Sequence, residues 1–408
     1  MIPKGWSSQK LSSVASIIDC KHRTPEYVKS GIPLVSPGTI KWGALDLISP
    51  VKRVTEEEYR SLMDHCVVEQ GDLVMSRNQS VGVVSYVDSK KPFVLGQDTV
   101  LIKAIHADWR FIYYTLQSDL VQRQIAKSAG GSTFSRINLS DIRALNIKTP
   151  AICEQDKISQ ILTAWDKAIS VTESLLANSQ QQKKALMQQL LTGNKRLLDE
   201  NGVRFSGEWK ITKLIQMGKV VSGGTPDTNM AMYWEGDILW LTPTDVTALT
   251  GRFVSNTSRK ITPAGLLNSS AVLLPKGSLM VCTRATIGAL AISTSEICTN
   301  QGFKNIIPNE GFNIEFIYYL LQMNTNEMIK KSSGSTFLEL SKKDFETLSF
   351  SCPFIKEQQK IAAVLSAADT EISTLEKKLA CLRDEKKALM QQLLTGKRRV
   401  KVDEAVAE

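Results

Sequence analysis

The sequence predicts an α+β protein in which two similar mixed α/β globular domains are separated by two long antiparallel coiled-coil helices about a pseudo-two-fold axis. Three observations lead there. Residues 183–193 read KKALMQQLLTG and residues 386–396 read it again, 203 positions later. The same offset carries Trp6 onto Trp209, Leu11 onto Leu214, Gly131-Ser132-Thr133-Phe134 onto Gly334-Ser335-Thr336-Phe337, and Pro150 onto Pro353. The chain is therefore a tandem duplication, and a period of half its length excludes a solenoid of short repeats. Finally, each copy ends in a stretch whose apolar residues recur at alternating spacings of four and three, the seam of a coiled coil.

The elements follow in order. Residues 1–150 form the first globular domain. Short β-branched runs between Gly and Pro signals, at Ile32–Val35, Asp72–Met75 and Val81–Val87, predict strands. Apolar spacing from Trp109 to Ile125 predicts one helix, and Leu139 to Pro150 a turn and closing strand. Residues 151–200 are the central spacer helix, with a seam of Ile158, Leu162, Trp165, Ile169, Thr172, Leu176, Ser179, Lys183, Leu186 and Leu190. Glu154 and Asp156 suit its first turn, and Gly193 caps its end. About 40 residues at ~1.5 Å each make a rod of roughly 60 Å.

Residues 201–353 repeat the globular pattern. Residues 354–408 supply the second spacer helix and tail, with Ile361, Leu365, Ala368, Ile372, Leu375, Leu379, Leu382, Lys386, Leu389 and Leu393 on its seam. A lone helix with Thr, Ser and Lys on its seam is marginal, so the two rods should pair. Because a folded domain lies between them, they should run antiparallel, one domain at each end. Lys183 and Lys386 either fix register or lie at the margin of the seam.

The formal charge of +9 over 408 residues favours a polyanionic partner, but the excess is spread thinly and forms no polybasic arm. Seven cysteines include no CxxC pair and none keeps its place under the repeat, which reads as free thiols in a reducing compartment. No apolar run reaches eighteen residues and the first ten lack a signal-peptide core, so the expected location is cytoplasmic, away from membranes.

Motifs for catalysis are missing. There is no phosphate-binding Gly-x-x-x-x-Gly-Lys, no Gly-x-Gly-x-x-Gly after a strand, and no Asn/Asp-Pro-Pro-aromatic tetrapeptide of an amino-methyltransferase. His22, His65 and His106 lack ligand or triad spacing, and Pro226-Asp227 is not followed by the acidic-x-Lys of a metal nuclease. The residues indicate neither a catalytic nor a metal site.

A different set of motifs, in order and in both copies, resembles the specificity subunit of type I restriction-modification systems. They are Gly223-Gly224-Thr225-Pro226, Tyr233-Trp234, Gly236-Asp237-Ile238, Thr242-Pro243-Thr244-Asp245, Asn300-Gln301-Gly302-Phe303-Lys304-Asn305, Gly334-Ser335-Thr336-Phe337, Glu357-Gln358-Gln359-Lys360-Ile361 and the terminal LMQQLLTGKRR. The first copy departs from this pattern at Asp19-Cys20-Lys21-His22-Arg23-Thr24-Pro25, where the family has a glycine-rich turn.

The resemblance implies that each domain is a target-recognition domain reading one part of a split, non-palindromic sequence in double-stranded DNA. It implies a non-catalytic chain that docks two methyltransferase subunits acting at adenine N6 with S-adenosylmethionine. Two translocase-nuclease subunits using ATP and magnesium would join through them, and this chain would hold no cofactor of its own.

Base reading needs Arg, Gln or Asn on loops that face a groove. Arg77, Asn78, Gln79 and Ser80 match Thr283, Arg284 and Thr286 in loops after a strand, closed by Gly82 and Gly288. These are either solvated hairpin tips or DNA contacts. Ser132, Thr133 and Arg136, with Ser335, Thr336 and Lys342, share the other duplicated loop, where turn chemistry competes with DNA binding. Gln97 and Gln301 could contact bases or bond internally. Tyr113-Tyr114 and Tyr318-Tyr319 read as core rather than as base-stacking surfaces. Two rival functions remain: a coiled-coil interaction scaffold without DNA contacts, and a self-sufficient nuclease.

Overall fold

The computed structural model describes residues 2–49, 52–130, 135–334 and 338–401. The chain divides into two compact units, residues 1–172 with 378–408 and residues 173–377. Each unit thus holds one globular domain, part of the first long helix (Ile152–Leu190) and part of the second (Ile355–Leu393).

In the first unit, five strands, β1 (Ala15–Asp19), β2 (Gly43–Ala44), β3 (Leu73–Ser76), β4 (Val84–Tyr86) and β5 (Thr99–Ala104), form a sheet in the order β1-β5-β3-β4-β2. All of β3 is buried, as its unbroken apolar run requires of a strand covered on both faces. A three-stranded sheet of Arg53–Val54, Ile32–Val35 and Val94–Leu95 lies beside it in sequence, and Ser7–Lys10 pairs antiparallel with Asn146–Thr149.

The second unit repeats this with β6 (Gly218–Ser222), β7 (Phe253–Val254), β8 (Leu279–Cys282), β9 (Leu290–Ser293) and β10 (Phe303–Pro308), in the order β6-β10-β8-β9-β7. Its three-stranded sheet is Arg259–Ile261, Trp234–Leu241 and Cys298–Thr299, and Lys210–Lys213 pairs with Ser349–Cys352. Two mixed α/β domains and two long helices match the expected fold class.

One expected helix is two. The run from Trp109 breaks at Ser118, whose extended backbone ends Trp109–Gln117 while its hydroxyl accepts from Val121 N–H to cap Asp119–Ala129. Apolar spacing alone does not register such a cap, because both helices bury the same face.

The long helices pair antiparallel within each unit. Glu154 meets Arg399 and Asp166 meets Lys386 in the first unit, while Lys183 meets Asp369 and Arg196 meets Glu357 in the second. Every expected seam residue is buried or half-buried. At their C-terminal ends the helices leave the seam and enter the globular cores. Leu393 and Leu394 join Trp6, Leu11, Phe111, Tyr114, Ile158 and Leu162, and Leu190 and Leu191 join Leu214, Phe316, Tyr319, Ile361 and Leu365. Each such leucine contributes about 1.5–3 kcal/mol of apolar burial.

Duplicated polar contacts hold these ends in register. Tyr114 Oη donates to Asp166 Oδ2 at 2.7 Å, and Lys386 Nζ reaches Asp166 Oδ1 at 2.5 Å, 5.3 Å from the Tyr114 ring centre. In the second unit Tyr319 Oη donates to Asp369 Oδ2 at 2.6 Å, with Lys183 Nζ 2.5 Å from Asp369 Oδ1. Both seam lysines are therefore ion-paired, and both tyrosine pairs are core. Arg399 and Arg196 each grip a buried glutamate, Glu154 and Glu357, through two hydrogen bonds of 2.6–2.8 Å. The adjacent glutamines, Gln155 and Gln358, donate to the Pro150 and Pro353 carbonyls and accept from the amides of Asp108 and Asn313.

The final Gly of each repeat adopts a left-handed φ, +75° at Gly193 and +69° at Gly396. A Cβ at Gly396 would lie 2.4 Å from the Pro3 ring, so this cap also lets the N-terminal segment approach.

Leu393→Ala should destabilise the first unit by ~2–5 kcal/mol. Hydrogen exchange should show the faster opening at residues 2–172 and 378–401, with protection at residues 200–350 unchanged.

Candidate nucleic-acid interface

In each domain three loops meet beyond the sheet ends, knit by the same backbone bonds. In the first, Arg77 N–H donates to the Asp98 carbonyl at 2.8 Å, and Ile137 N–H donates to the Arg77 carbonyl at 3.0 Å. In the second, Thr283 N–H donates to the Gly302 carbonyl at 2.8 Å, and Leu340 N–H to the Thr283 carbonyl at 2.9 Å. Bridges Asn78↔Arg136 and Arg284↔Glu339 extend the match. Next in each loop comes a non-glycine residue in the left-handed region, Gln79 at φ +59° and Ala285 at +62°.

A fourth segment is tied on by the glutamines. Gln97 Nε2 donates to Thr24 Oγ1 at 3.0 Å, and Thr225 Oγ1 donates to Gln301 Oε1. Each Thr precedes a proline, and both glutamines remain exposed while making this internal bond. Beside Thr225, Gly223 is a steric requirement: a Cβ there would sit 1.9 Å from the Asn300 carbonyl oxygen.

The side chains on this frame differ between the domains. Asn78 is half-buried, and Gln79, Ser80 and Arg136 are exposed. Arg136 pairs with Asp98 at 2.7 Å. In the second domain Arg284 and Thr286 are exposed, and Arg284 faces Glu339 at 4.0 Å, an open pair that solvent screens. Lys342 is exposed in the first turn of Lys342–Thr347, 3.6 Å from Glu346. Ser132, Thr133, Ser335 and Thr336 lie outside the described residues.

Two expected tip residues are inside. Arg77 is 5% exposed; its guanidinium donates to Asp19 Oδ1 at 2.8 Å and to the Ile137 carbonyl at 3.2 Å. Thr283 is fully buried and donates to the Gly302 carbonyl at 3.2 Å. Position in a loop after a strand suggested exposure, but the third loop covers both side chains. Arg77 therefore holds the frame, Asn78 Oδ1 accepts from Gln79 N–H at 2.7 Å, and Gln79 and Ser80 face out. Asp98 and Glu339, the carboxylates beside Arg136 and Arg284, were not anticipated; adjacency of Asp98 to Gln97 was the available signal.

The Thr242-Pro243-Thr244-Asp245 motif is a capping box for the short helix Pro243–Thr247. Burial works against ionisation of Asp245, but hydrogen bonds from Thr242 and Ser258 outweigh it and hold the carboxyl below the usual aspartate range.

A family model for the type I restriction modification DNA specificity domain matches residues 3–178 and 206–382. The chain belongs to that family. Among curated members, the MjaIX specificity subunit of Methanocaldococcus jannaschii is 40% identical over 172 residues, covering 42% of this chain and 40% of its own length. The match thus spans under half of that relative. The putative MjaX specificity subunit of the same organism is 25% identical across 98% of this chain and 95% of its own. The EcoR124I/EcoR124II specificity subunit of Escherichia coli is 30% identical over about half of each chain, 52% of both.

The fold is likewise that of solved family members. The type I S subunit from M. genitalium superposes with a TM-score of 0.60 at 17% identity over 96% of both chains, and the HsdS subunit from Thermoanaerobacter tengcongensis with 0.51 at 18% over 97% of this chain and 98% of its own.

Two outcomes follow from these side chains. Arg77→Ala should lower unfolding stability by ~1–3 kcal/mol in denaturant titrations, since it removes the ion pair to Asp19 and leaves the Ile137 carbonyl without its side-chain donor; an exposed reader would leave stability within ~0.5 kcal/mol. Asp245, with a depressed folded pKa, contributes stability above the unfolded aspartate value of about 3.9, and this is lost as pH falls through the folded value. Asp245→Ala should flatten the acid limb of the second unit's stability profile.

Proposed function

We propose that this chain is the DNA-reading, non-catalytic subunit of a type I restriction-modification complex. Each globular domain reads one part of a bipartite, non-palindromic target in double-stranded DNA. The chain docks two adenine-N6 methyltransferase subunits, which carry S-adenosylmethionine, and through them two ATP- and magnesium-dependent translocase-nuclease subunits. It works in the cytoplasm.

The observation that supports this best is the duplicated loop frame with unlike side chains. A shared backbone lattice presents Asn78, Gln79 and Arg136 in one domain and Arg284, Thr286 and Lys342 in the other. Arg and Asn can make bidentate contacts to guanine and adenine edges, so different readers on one frame select different half-targets. The paired helices fit the rival scaffold reading equally well, but that reading gives no reason for exposed Arg and Gln on strained, pinned loops.

Methylome sequencing of cells with and without the gene should reveal 6-methyladenine in a two-part motif that depends on it. Arg284→Ala should relax one base position in one part only, by ~1–3 kcal/mol, and leave the other part unchanged. Methyl transfer or cleavage by the purified chain alone would sink the proposal.

A further inference from the structure

Asp98 is the best anchored residue of the first domain's loop frame. Its carbonyl accepts from Arg77 N–H at 2.8 Å, and the preceding Gln97 is tied to Thr24 at 3.0 Å. Its φ of +63° lies in the left-handed region, which Asp enters more readily than most residues but still rarely. From this fixed point the carboxylate reaches two other residues of the frame. Oδ1 lies 2.7 Å from Arg136 Nη2, and Oδ2 accepts from Asn78 Nδ2 at 3.4 Å. The Asp98 side chain is 24% exposed and that of Arg136 45%, so the carboxylate is the better covered partner of a guanidinium that solvent still reaches.

The second domain lacks this carboxylate. Gly302 stands where Asp98 does, and Arg284 faces Glu339 of another loop at 4.0 Å. The backbone bond to the 98 or 302 carbonyl forms in both domains, so it does not require an aspartate.

We infer that Asp98 is a positioning residue that makes Arg136 a reader of a guanine edge, and not of phosphate, in the first domain. This rests on the DNA-reading role proposed above. An arginine whose charge is already matched gains little further attraction from a phosphate. Bidentate bonding to guanine O6 and N7 depends instead on where the guanidinium donors point, and Asp98 sets that direction before DNA arrives. The rotamer freedom that a loose arginine loses on binding is then lost in advance.

Methylome sequencing of cells carrying each variant reads the base, and fluorescence anisotropy of the purified complex on a duplex without the motif reads the charge. Arg136→Ala should cost about 5- to 150-fold in discrimination at one guanine in one part of the motif. Asp98→Asn, which keeps the side-chain shape, should relax the same guanine and leave the other part unchanged. It should also steepen the slope of log affinity against log salt by about 0.9, as the released Arg136 takes a phosphate. Introduced into Arg136→Ala, the same Asp98→Asn change should alter neither discrimination nor slope. Full discrimination in Asp98→Asn, an equal change of slope with and without Arg136, or relaxation by Arg136→Ala at a base other than guanine would overturn the positioning role alone. Absence of any two-part motif that depends on this chain would overturn it together with the reading role.

Discussion

Neither globular core closes on its own copy. The leucines that complete the first domain, Leu393 and Leu394, end the helix of the second copy, and those completing the second domain, Leu190 and Leu191, end the helix of the first. The stretch KKALMQQLLTG must therefore serve as a coiled-coil seam at its start and as a globular core at its end. It must then cap with a glycine in the left-handed region. Few residues satisfy all three demands, which is why this stretch is repeated without a single change while the rest of the chain has drifted.

Hydrophobic burial along a heptad seam tolerates slippage by a turn, since one leucine replaces another. The polar contacts do not. Displacing either helix end by one turn would strand Asp166 or Asp369 between a tyrosine hydroxyl and an apolar neighbour, and would leave Glu154 or Glu357, both almost fully buried, without their arginines. Breaking a buried pair costs several kcal/mol even where making it contributes little. The ion pairs thus select one register, and the leucines supply the stability.

The sequence was most legible where it repeats itself. The seam and the capping Gly193 could be assigned roles, and two copies under one offset showed that both belong to a repeated unit. Gln155 and Gln358 were visible only as part of a family motif; their bonds to Pro150 and Pro353 depend on the helix turning back onto its own entry segment. Arg77 was placed correctly in a loop but wrongly at its tip, because Asp19 and Ile137, its partners, lie 58 and 60 residues away.

The loop frame shows how side chains can change without loss of the fold. The bonds that both domains share run from Arg77 or Thr283 N–H to the 98 or 302 carbonyl and from Ile137 or Leu340 N–H back again, and these involve backbone atoms only. They also hold Gln79 and Ala285 in the left-handed region, at a cost of about 1–3 kcal/mol each that a free loop would relax. A loop held in place by its own main chain leaves neighbouring side chains free to diverge, and they have: Asn78 stands where the second copy has Arg284, and Arg136 where it has Glu339. At the matched bridge one domain presents a neutral and a cationic side chain, and the other a cationic and an anionic one. Two loop frames alike in backbone thus carry unlike side chains, and a surface complementary to one is not complementary to the other.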